Sequence, residues 1–132
     1  MLIHFTVSPS SGVPPYLQLV HQVEQAIRLG HLTRGDRLPT VKEVARMVAV
    51  NPNTVLKAYR ELEHKGLAQG RPGRGTFVAA EAADPIPEAR LRELQQLLAG
   101  WVHSARAAGL DSEGMTGLFT AALHDTTSRE AE

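Results

Sequence analysis

Apolar residues recur at three- and four-residue steps over residues 16–29, which predicts an amphipathic helix. Pro15 suits the first turn of this helix, because the amide hydrogen that proline lacks would have no helical partner there. Gly30 suits its C-terminal end. The expected buried stripe consists of Tyr16, Leu19, Val20, Val23 and Ile27.

A second, shorter helix is predicted over residues 41–49. Thr40 and Glu43 have the spacing of a capping box, in which side chains and backbone amides at the start of a helix satisfy each other. The preceding residues 33–39, TRGDRLP, are typical of a loop. The predicted buried stripe of this helix consists of Val41, Val44, Ala45 and Val48.

A third helix begins within the sequence NPNTVLKAYRELEHKGL, residues 51–67. Asn51 can accept hydrogen bonds from free amides of the first turn, and Pro52 suits the first helical position. Gly66 favours the left-handed conformation that often ends a helix. At about 100° per residue, the helix has an apolar and a polar, basic face. The apolar face contains Val55, Ala58, Tyr59 and Leu62, and the polar face contains Asn53, Lys57, Arg60 and His64.

Residues 67–79, LAQGRPGRGTFVA, contain two short strand patterns around a turn rich in glycine and proline, which predicts a β-hairpin. Arg71 and Arg74 make its tip basic. The glycines do not form a phosphate-binding P-loop, because a strand rather than a helix follows them. Three helices and a hairpin, with a few residues between the second and third helices, are typical of a winged helix-turn-helix. An apolar run at residues 2–7 predicts one further strand.

The C-terminal third is predicted to form two more helices. Apolar residues over residues 89–108 follow a short heptad seam, which favours helix pairing, although a single seam can also pack within its own chain. A further helix is predicted from Asp111 onwards. The seam consists of Leu91, Leu94, Leu98, Trp101 and Ala105, and the last helix places Met115, Leu118, Phe119 and Ala122 on one side.

The predicted fold class is therefore α+β and mostly helical. We assign residues 1–80 to a winged helix-turn-helix domain, 81–88 to a linker, 89–126 to a two-helix dimerisation region and 127–132 to a flexible tail. Two helices of this size are expected to be too small to enclose a ligand cavity of roughly 300 Å³ within one subunit.

Charge is distributed unevenly, although the formal net charge is zero. Residues 28–74 contain ten Lys or Arg against four Asp or Glu, and residues 76–132 contain four against nine. A basic segment beside an acidic one is typical of a nucleic-acid-binding module with an appended part that does not touch the nucleic acid. Ordinary solvated surface charge would produce the same counts.

The absence of cysteine excludes disulfides, thiolate zinc sites and cysteine nucleophiles, and it fits a reducing compartment. No window reaches the roughly 20 apolar residues of a transmembrane helix, and the N-terminus lacks the pattern of a signal peptide. We therefore expect a cytoplasmic protein with no membrane partner. The six histidines include no close pair of metal ligands, and no Ser, His and carboxylate grouping stands out. We expect no metal, cofactor or catalytic residue.

Residues 31–78, HLTRGDRLPTVKEVARMVAVNPNTVLKAYRELEHKGLAQGRPGRGTFV, closely resemble the N-terminal domain of GntR-type bacterial transcription regulators. In that family a GDRLPS-like loop, a helix-turn-helix and a GRGTFV wing follow one another. The sequences NPNTV, AYRELE, LIHF and SSGVPPY are most similar to the YtrA subfamily. The resemblance covers roughly residues 1–80 and includes several spaced elements in the same order.

This resemblance implies that the second helix, the start of the third helix and the wing touch double-stranded DNA. An asparagine can read adenine, a lysine can read guanine, and a threonine can bind phosphate or a thymine methyl group. Backbone amides at the start of the third helix would also favour phosphate. The residues implied to touch DNA are Lys42, Asn53, Thr54, Lys57, Arg71 and Arg74.

Resemblance to the YtrA group further implies that the C-terminal helices form a homodimer, which would place two recognition helices on successive major grooves. The expected contact residues are Leu91, Leu94, Leu98, Trp101 and Phe119. The function expected from these features is that of a dimeric repressor bound to a two-fold promoter operator. The alternatives are a sensor gated by a small-molecule effector at the dimer interface, an architectural or RNA-binding winged helix, and, least favoured, an enzyme.

Overall fold

The computed structural model describes residues 3–131, which divide into two compact units at the Ile86–Pro87 junction. The first unit contains α1 (Pro15–Arg28), α2 (Val41–Val48), α3 (Pro52–His64), β1 (Ala68–Arg71) and β2 (Gly75–Val78). The second unit contains α4 (Glu88–Ala107) and α5 (Ser112–Glu130). The predicted helices and hairpin are present with ends that differ by one or two residues, apart from the longer α5, and the α+β, mostly helical fold class is confirmed.

The starts of α2 and α3 follow the local chemistry of the sequence. The Thr40 hydroxyl accepts a 3.1 Å hydrogen bond from the amide of Glu43, which is one half of the predicted capping box. Asn51 Oδ1 accepts from the amide of Asn53 at 2.8 Å, and Pro52 occupies the first position of α3. These caps satisfy amides that a helix leaves unpaired at its N-terminus, so each helix begins where its cap lies.

The turn between α2 and α3 depends on one left-handed residue. Ala49 ends α2 with a φ of 54°, and the amide of Val50 donates to the carbonyl of Ala45 at 3.1 Å. This arrangement stops α2 and lets α3 begin at Pro52, three residues after Ala49. The conformation is unfavourable for a residue with a Cβ, so the surrounding packing must maintain it. The side chain of Val50 packs on the core beside this turn.

The core of the first unit combines the apolar faces of its three helices with residues from the loops and the hairpin. Every residue of the predicted apolar face of α3 is buried. In α2, Val44 and Ala45 are buried, whereas Val41 and Val48 pack against the core while partly exposed. The buried residues are Phe5, Leu19, Val20, Val23, Ala26, Ile27, Leu32, Leu38, Val44, Ala45, Val55, Ala58, Tyr59, Leu62, Ala68 and Val78.

The strand predicted at residues 2–7 is absent from its described part, residues 3–7, and Leu2 lies outside the described residues. The amide of Thr6 donates to the side-chain oxygen of Gln22 at 2.9 Å, and the Gln22 nitrogen donates back to the Thr6 carbonyl at 2.7 Å. Phe5 inserts into the core and is 1% exposed. The apolar pattern therefore predicts the burial of Phe5 correctly. The backbone hydrogen bonds of this segment, however, are made with side-chain amides of α1 and not with a partner strand.

The hairpin is antiparallel, and its register runs from Ala68 opposite Val78 to Arg71 opposite Gly75. The amide of Arg74 donates to the carbonyl of Arg71 at 2.9 Å. Gly73 has a φ of 75°, and Pro72 precedes it, which is the residue pattern of a type II turn. This hairpin forms the predicted wing.

The loop before α2 also pairs with the wing, although the sequence pattern predicts only a loop there. Arg37 and Phe77 form an antiparallel bridge, and the amide of Leu38 donates to the carbonyl of Thr76 at 2.8 Å. Because Leu38 is buried, this segment links the wing to the core immediately before α2 begins.

In the second unit, Asp111 caps α5 by accepting from the amide of Gly114 at 2.8 Å. The Trp101 and Phe119 rings pack across the two helices, with centroids 6.3 Å apart and planes tilted by 53°. Residues 127–130 of the predicted tail are helical, because α5 continues to Glu130. Within the part of the chain that the structure describes, no helix combines the length and apolar character needed to cross a membrane.

Candidate nucleic-acid interface

The start of α3 presents side chains rather than free backbone amides. Pro52 has no amide hydrogen, the amide of Asn53 is bonded to Asn51 Oδ1, and the amide of Thr54 donates to the Asn51 carbonyl at 2.9 Å. The expectation that backbone amides here would attract phosphate is therefore not supported. The side chain of Asn53 is exposed and that of Thr54 is half-buried, so both retain polar groups at the surface.

The polar face of α3 carries Asn53, Lys57, Arg60 and His64, all exposed. Lys57 Nζ lies 4.1 Å from the centroid of the Tyr16 ring at the start of α1. This cation–π contact holds the ammonium group beside α1 without neutralising its charge. The structure thus places Lys57 at the α1 edge of the face, where Tyr16 limits the positions that its flexible stem adopts.

The wing supplies a second set of basic side chains. The Arg71 guanidinium lies 4.6 Å from the centroid of the Phe77 ring, and Arg74 is exposed in the turn. Both line a shallow concave surface of about 620 Å³ together with Arg37 and the backbone of the glycine-rich turn. Arg71 and Arg74 are therefore brought together at one end of the first unit.

Lys42 is exposed at the second position of α2. Among residues 3–131, the only basic residue of the segment 28–74 that forms a salt bridge is Lys65, whose Nζ lies 2.7 Å from Glu24 Oε1. The hydrogen bond from Lys65 to Glu24 raises the pKa of Lys65 above its ordinary value. The other basic side chains of the segment keep their charge available for an external anion.

A match to the family model "Bacterial regulatory proteins, gntR family" covers residues 15–78, from the start of α1 to the end of the wing. The HTH-type transcriptional repressor YtrA of Bacillus subtilis is 35% identical over 107 residues, which cover 81% of this chain and 82% of that protein. The chain belongs to the gntR family. The prediction made from the loop, helix-turn-helix and wing motifs is confirmed.

Two solved structures of transcription factors or their DNA-binding domains have a similar fold. YtrA from Sulfolobus acidocaldarius, a GntR-family transcription factor, is similar with a TM-score of 0.53 and 33% identity over 70% of this chain and 95% of that chain. The DNA-binding domain of AraR in complex with operator ORX1 is similar with a TM-score of 0.52 and 30% identity, over 59% of this chain and 96% of that chain.

The sequence pattern does not predict the placement of two residues on the surface formed by α3 and the wing. Tyr16 was assigned to the buried stripe of α1, but it is half-buried and faces Lys57. Arg37 was assigned only to a loop, but its bridge to Phe77 places it on the wing. No local signal in the sequence marks Arg37 as a strand residue, because Asp36 and Arg37 are both polar and do not show the alternation of a half-buried strand.

The second unit exposes apolar residues on both of its helices. Leu94 and Leu98 of the predicted seam are 41% and 49% exposed, and Phe119 is 46% exposed. Leu91 and Trp101 are half-buried, and Ala105 is buried. A groove of about 380 Å³ lies between α4 and α5. It is open to solvent, so it does not contradict the expectation that these two helices enclose no ligand cavity within one subunit.

Proposed function

We propose that this protein is a dimeric, sequence-specific transcription repressor that occupies a two-fold operator in promoter DNA. The observation that carries the proposal is the combination, in one unit, of a capped α3 with an exposed polar face and a wing with arginines free of salt bridges among the described residues. Its membership of the gntR family and its similarity to a transcriptional repressor agree with this reading.

Asn53 and Lys57 are the proposed base-reading residues, because they lie near the exposed start of α3. The amide group of Asn53 matches the N6 and N7 edge of adenine, and the Lys57 ammonium group matches guanine O6 and N7. To read a base, Lys57 would leave or share its contact with Tyr16, so Tyr16 helps to determine its reach. Thr54 is proposed to contact phosphate or a thymine methyl group.

Lys42, Arg71 and Arg74 are proposed to contact the DNA backbone. Phosphate contacts position a protein on the duplex without reading sequence, and they make the affinity depend on salt. The three residues lie on α2 and on the wing, on either side of α3 in the sequence. This arrangement supports a model in which α3 reads the base sequence, while α2 and the wing contact the DNA backbone.

The second unit is proposed to form the homodimer. Leu94, Leu98 and Phe119 expose large apolar groups, and Leu97 is 69% exposed beside them. Leu94, Leu97 and Leu98 share one side of α4 because of their three- and four-residue spacing, and exposed apolar surface of this kind is unfavourable in water and favours association. A second copy of the unit would cover it, and the resulting two-fold symmetry would match two half-sites separated by about one helical turn of DNA.

The proposal is tested by selecting duplexes from a random double-stranded pool with the full chain, and then measuring affinity for the selected duplex, a shuffled duplex and an RNA of the selected sequence. We expect a two-fold sequence and at least ~10³-fold preference for it over the shuffled duplex. Asn53→Ala with Lys57→Ala should remove this preference. Equal affinity for all three nucleic acids would contradict the proposal and favour an architectural or RNA-binding role.

A second candidate is a repressor gated by a small molecule, and the groove between α4 and α5 favours it. Its volume of about 380 Å³ lies within the usual range of ligand sites, and Arg106, Ser112 and Thr116 add polar groups to an otherwise apolar lining. Compounds that raise the melting temperature of the full chain should then change its affinity for the selected duplex. Stabilising compounds that leave this affinity unchanged would contradict gating.

A further inference from the structure

The Arg37 side chain lies on the outer face of the wing. Leu38, the next residue, is 2% exposed and points into the core, and neighbouring residues of an extended segment point to opposite faces. Because residues paired across antiparallel strands share a face, Arg37 lies on the same face as Phe77. Gly75 lies two residues before Phe77 in β2, so its Cα position is on the same face of the hairpin.

Gly75 provides the space that this arginine occupies. A Cβ at Gly75 would lie 3.0 Å from Arg37 Nε and 3.4 Å from its Nη2. The backbone φ of 119° at Gly75 also favours glycine. The absence of a side chain therefore allows the Arg37 guanidinium to extend along the wing toward the turn.

Arg71 reaches the same face from the other strand. It lies directly opposite Gly75 in the register, and its guanidinium stacks over Phe77. Arg37, Arg71 and Arg74 all line the concave surface at the turn. Two separate parts of the chain thus bring three guanidinium groups to one surface.

No carboxylate of the described chain neutralises this cluster through a salt bridge. Asp36 is adjacent to Arg37 in sequence, but its Oδ2 accepts instead from the amide of Thr33 at 2.9 Å and from the Thr33 hydroxyl at 3.2 Å. The hydrogen bond from the Thr33 backbone lowers the pKa of Asp36, so the carboxylate is ionised but directed elsewhere. Like charges gathered without a partner favour the binding of an anion.

We propose that Arg37 is a further DNA-contacting residue, which completes with Arg71 and Arg74 a three-arginine phosphate site on the wing. The guanidinium group binds phosphate oxygens through two parallel hydrogen bonds, which suits a backbone contact. This inference rests on the proposed function, because the phosphate belongs to the bound DNA. Arg37 extends the contact surface from the hairpin to the segment that leads into α2.

The test compares Arg37→Ala with Arg34→Ala in the full chain, using the selected duplex and the shuffled duplex over a range of salt concentrations. Arg34 is a matched control, because it belongs to the same loop, is exposed, and lines a different groove with Ile27 and Leu32. Arg37→Ala should weaken binding to both duplexes about tenfold. It should reduce the slope of log affinity against log salt by about 0.9 for each phosphate that the variant no longer neutralises. Arg34→Ala should change neither quantity.

Arg37→Lys and Arg37→Gln separate the charge from the structural role of the side chain. Lysine should restore most of the salt slope, whereas glutamine, which retains part of the stem over Gly75, should behave like alanine. An Arg37→Ala protein with wild-type affinity and slope would overturn the inference and leave the proposed function intact. So would weaker binding at an unchanged slope, or full binding by Arg37→Gln. Failure of the wild-type chain to bind either duplex would instead reject the proposed function itself.

Discussion

The hydroxyl of Tyr59, in the middle of α3, donates a buried hydrogen bond to the carbonyl of Pro39, two residues before α2 begins. Tyr59 is 4% exposed, and burial raises the pKa of its phenol above the ordinary value. This bond links α3 to the segment that carries Arg37 and Leu38. The relative placement of α2, α3 and the wing therefore depends on a polar contact inside an apolar core.

Tyr59→Phe should lower the free energy of unfolding by about 1–3 kcal/mol, because the Pro39 carbonyl would lose its buried donor. Urea unfolding of the full chain, followed by circular dichroism, measures the change. Tyr16→Phe is the matched control, since Tyr16 is half-buried and contacts Lys57 through its ring, which phenylalanine retains. Equal effects of the two substitutions would show that the hydrogen bond contributes nothing specific.

The raised pKa of Tyr59 also predicts a pH dependence. Above about pH 10 the unfolded chain loses the phenolic proton while the folded chain keeps it, so the unfolded state binds fewer protons and stability falls as pH rises. The slope contributed by this residue should be roughly 1.4 kcal/mol per pH unit. Unfolding curves at pH 9 to 11.5 should show this component in the wild type and lack it in Tyr59→Phe. Parallel curves for the two proteins would contradict the prediction.

Alanine substitutions at Asn51 and Asn53 should have different effects, the first on folding stability and the second on affinity for DNA. Asn51→Ala should cost about 1 kcal/mol of stability, because the amide of Asn53 would lose its cap. Asn53→Ala keeps that cap, so stability should hardly change, while affinity for the selected duplex should fall by about 1–3 kcal/mol and affinity for shuffled DNA should not. Thermal unfolding and fluorescence anisotropy measure the two effects. Equal losses on both duplexes would argue against base reading by Asn53.

Replacing Arg71 and Arg74 together by alanine should weaken binding to selected and shuffled duplexes alike, because phosphate contacts are independent of sequence. The salt slope should become shallower by up to about 1.8, the value for two neutralised phosphates. Arg28→Ala with Arg34→Ala serves as a control that removes two exposed charges outside α2, α3 and the wing. A double wing variant with an unchanged slope would remove the hairpin from the interface.

If the second unit forms the proposed homodimer, Leu98→Glu should convert the protein to a monomer without unfolding this unit, because Leu98 is 49% exposed on α4. Gln96→Glu introduces the same charge about 160° around the helix and should leave association unchanged. Sedimentation velocity gives the oligomeric state, and circular dichroism reports the fold. The monomer should bind a single half-site weakly and lose most of its preference for the paired operator. A Leu98→Glu protein that remains dimeric would place the dimer contact elsewhere.

Much of the first unit follows from the sequence because its signals are local. Asn51 with Pro52 marks a helix start through hydrogen bonds within one turn, and the three- and four-residue spacing of Val55, Ala58 and Leu62 defines a buried face by helical geometry alone. The turn sequence between β1 and β2 likewise specifies a hairpin from adjacent residues.

Other features depend on which distant groups meet. The run at residues 2–7 has an apolar pattern suited to a strand, but no strand lies beside its described part, and Gln22 satisfies the backbone instead. Arg37 has the local sequence of a loop residue, and only the bridge to Phe77 places it on the wing. Neither partner can be inferred from spacing along the chain, because each contact is made across the folded unit.

The helices, the hairpin, the buried faces and the basic character of residues 28–74 follow from the amino-acid sequence alone, since they depend on the period, capping and charge of neighbouring residues. The contact of Lys57 with Tyr16, the hydrogen bond from Tyr59 to Pro39 and the gathering of arginines from two chain segments on one wing surface depend on the tertiary structure. These contacts cannot be inferred from local sequence, because the interacting residues are distant along the chain and come together only when the core forms.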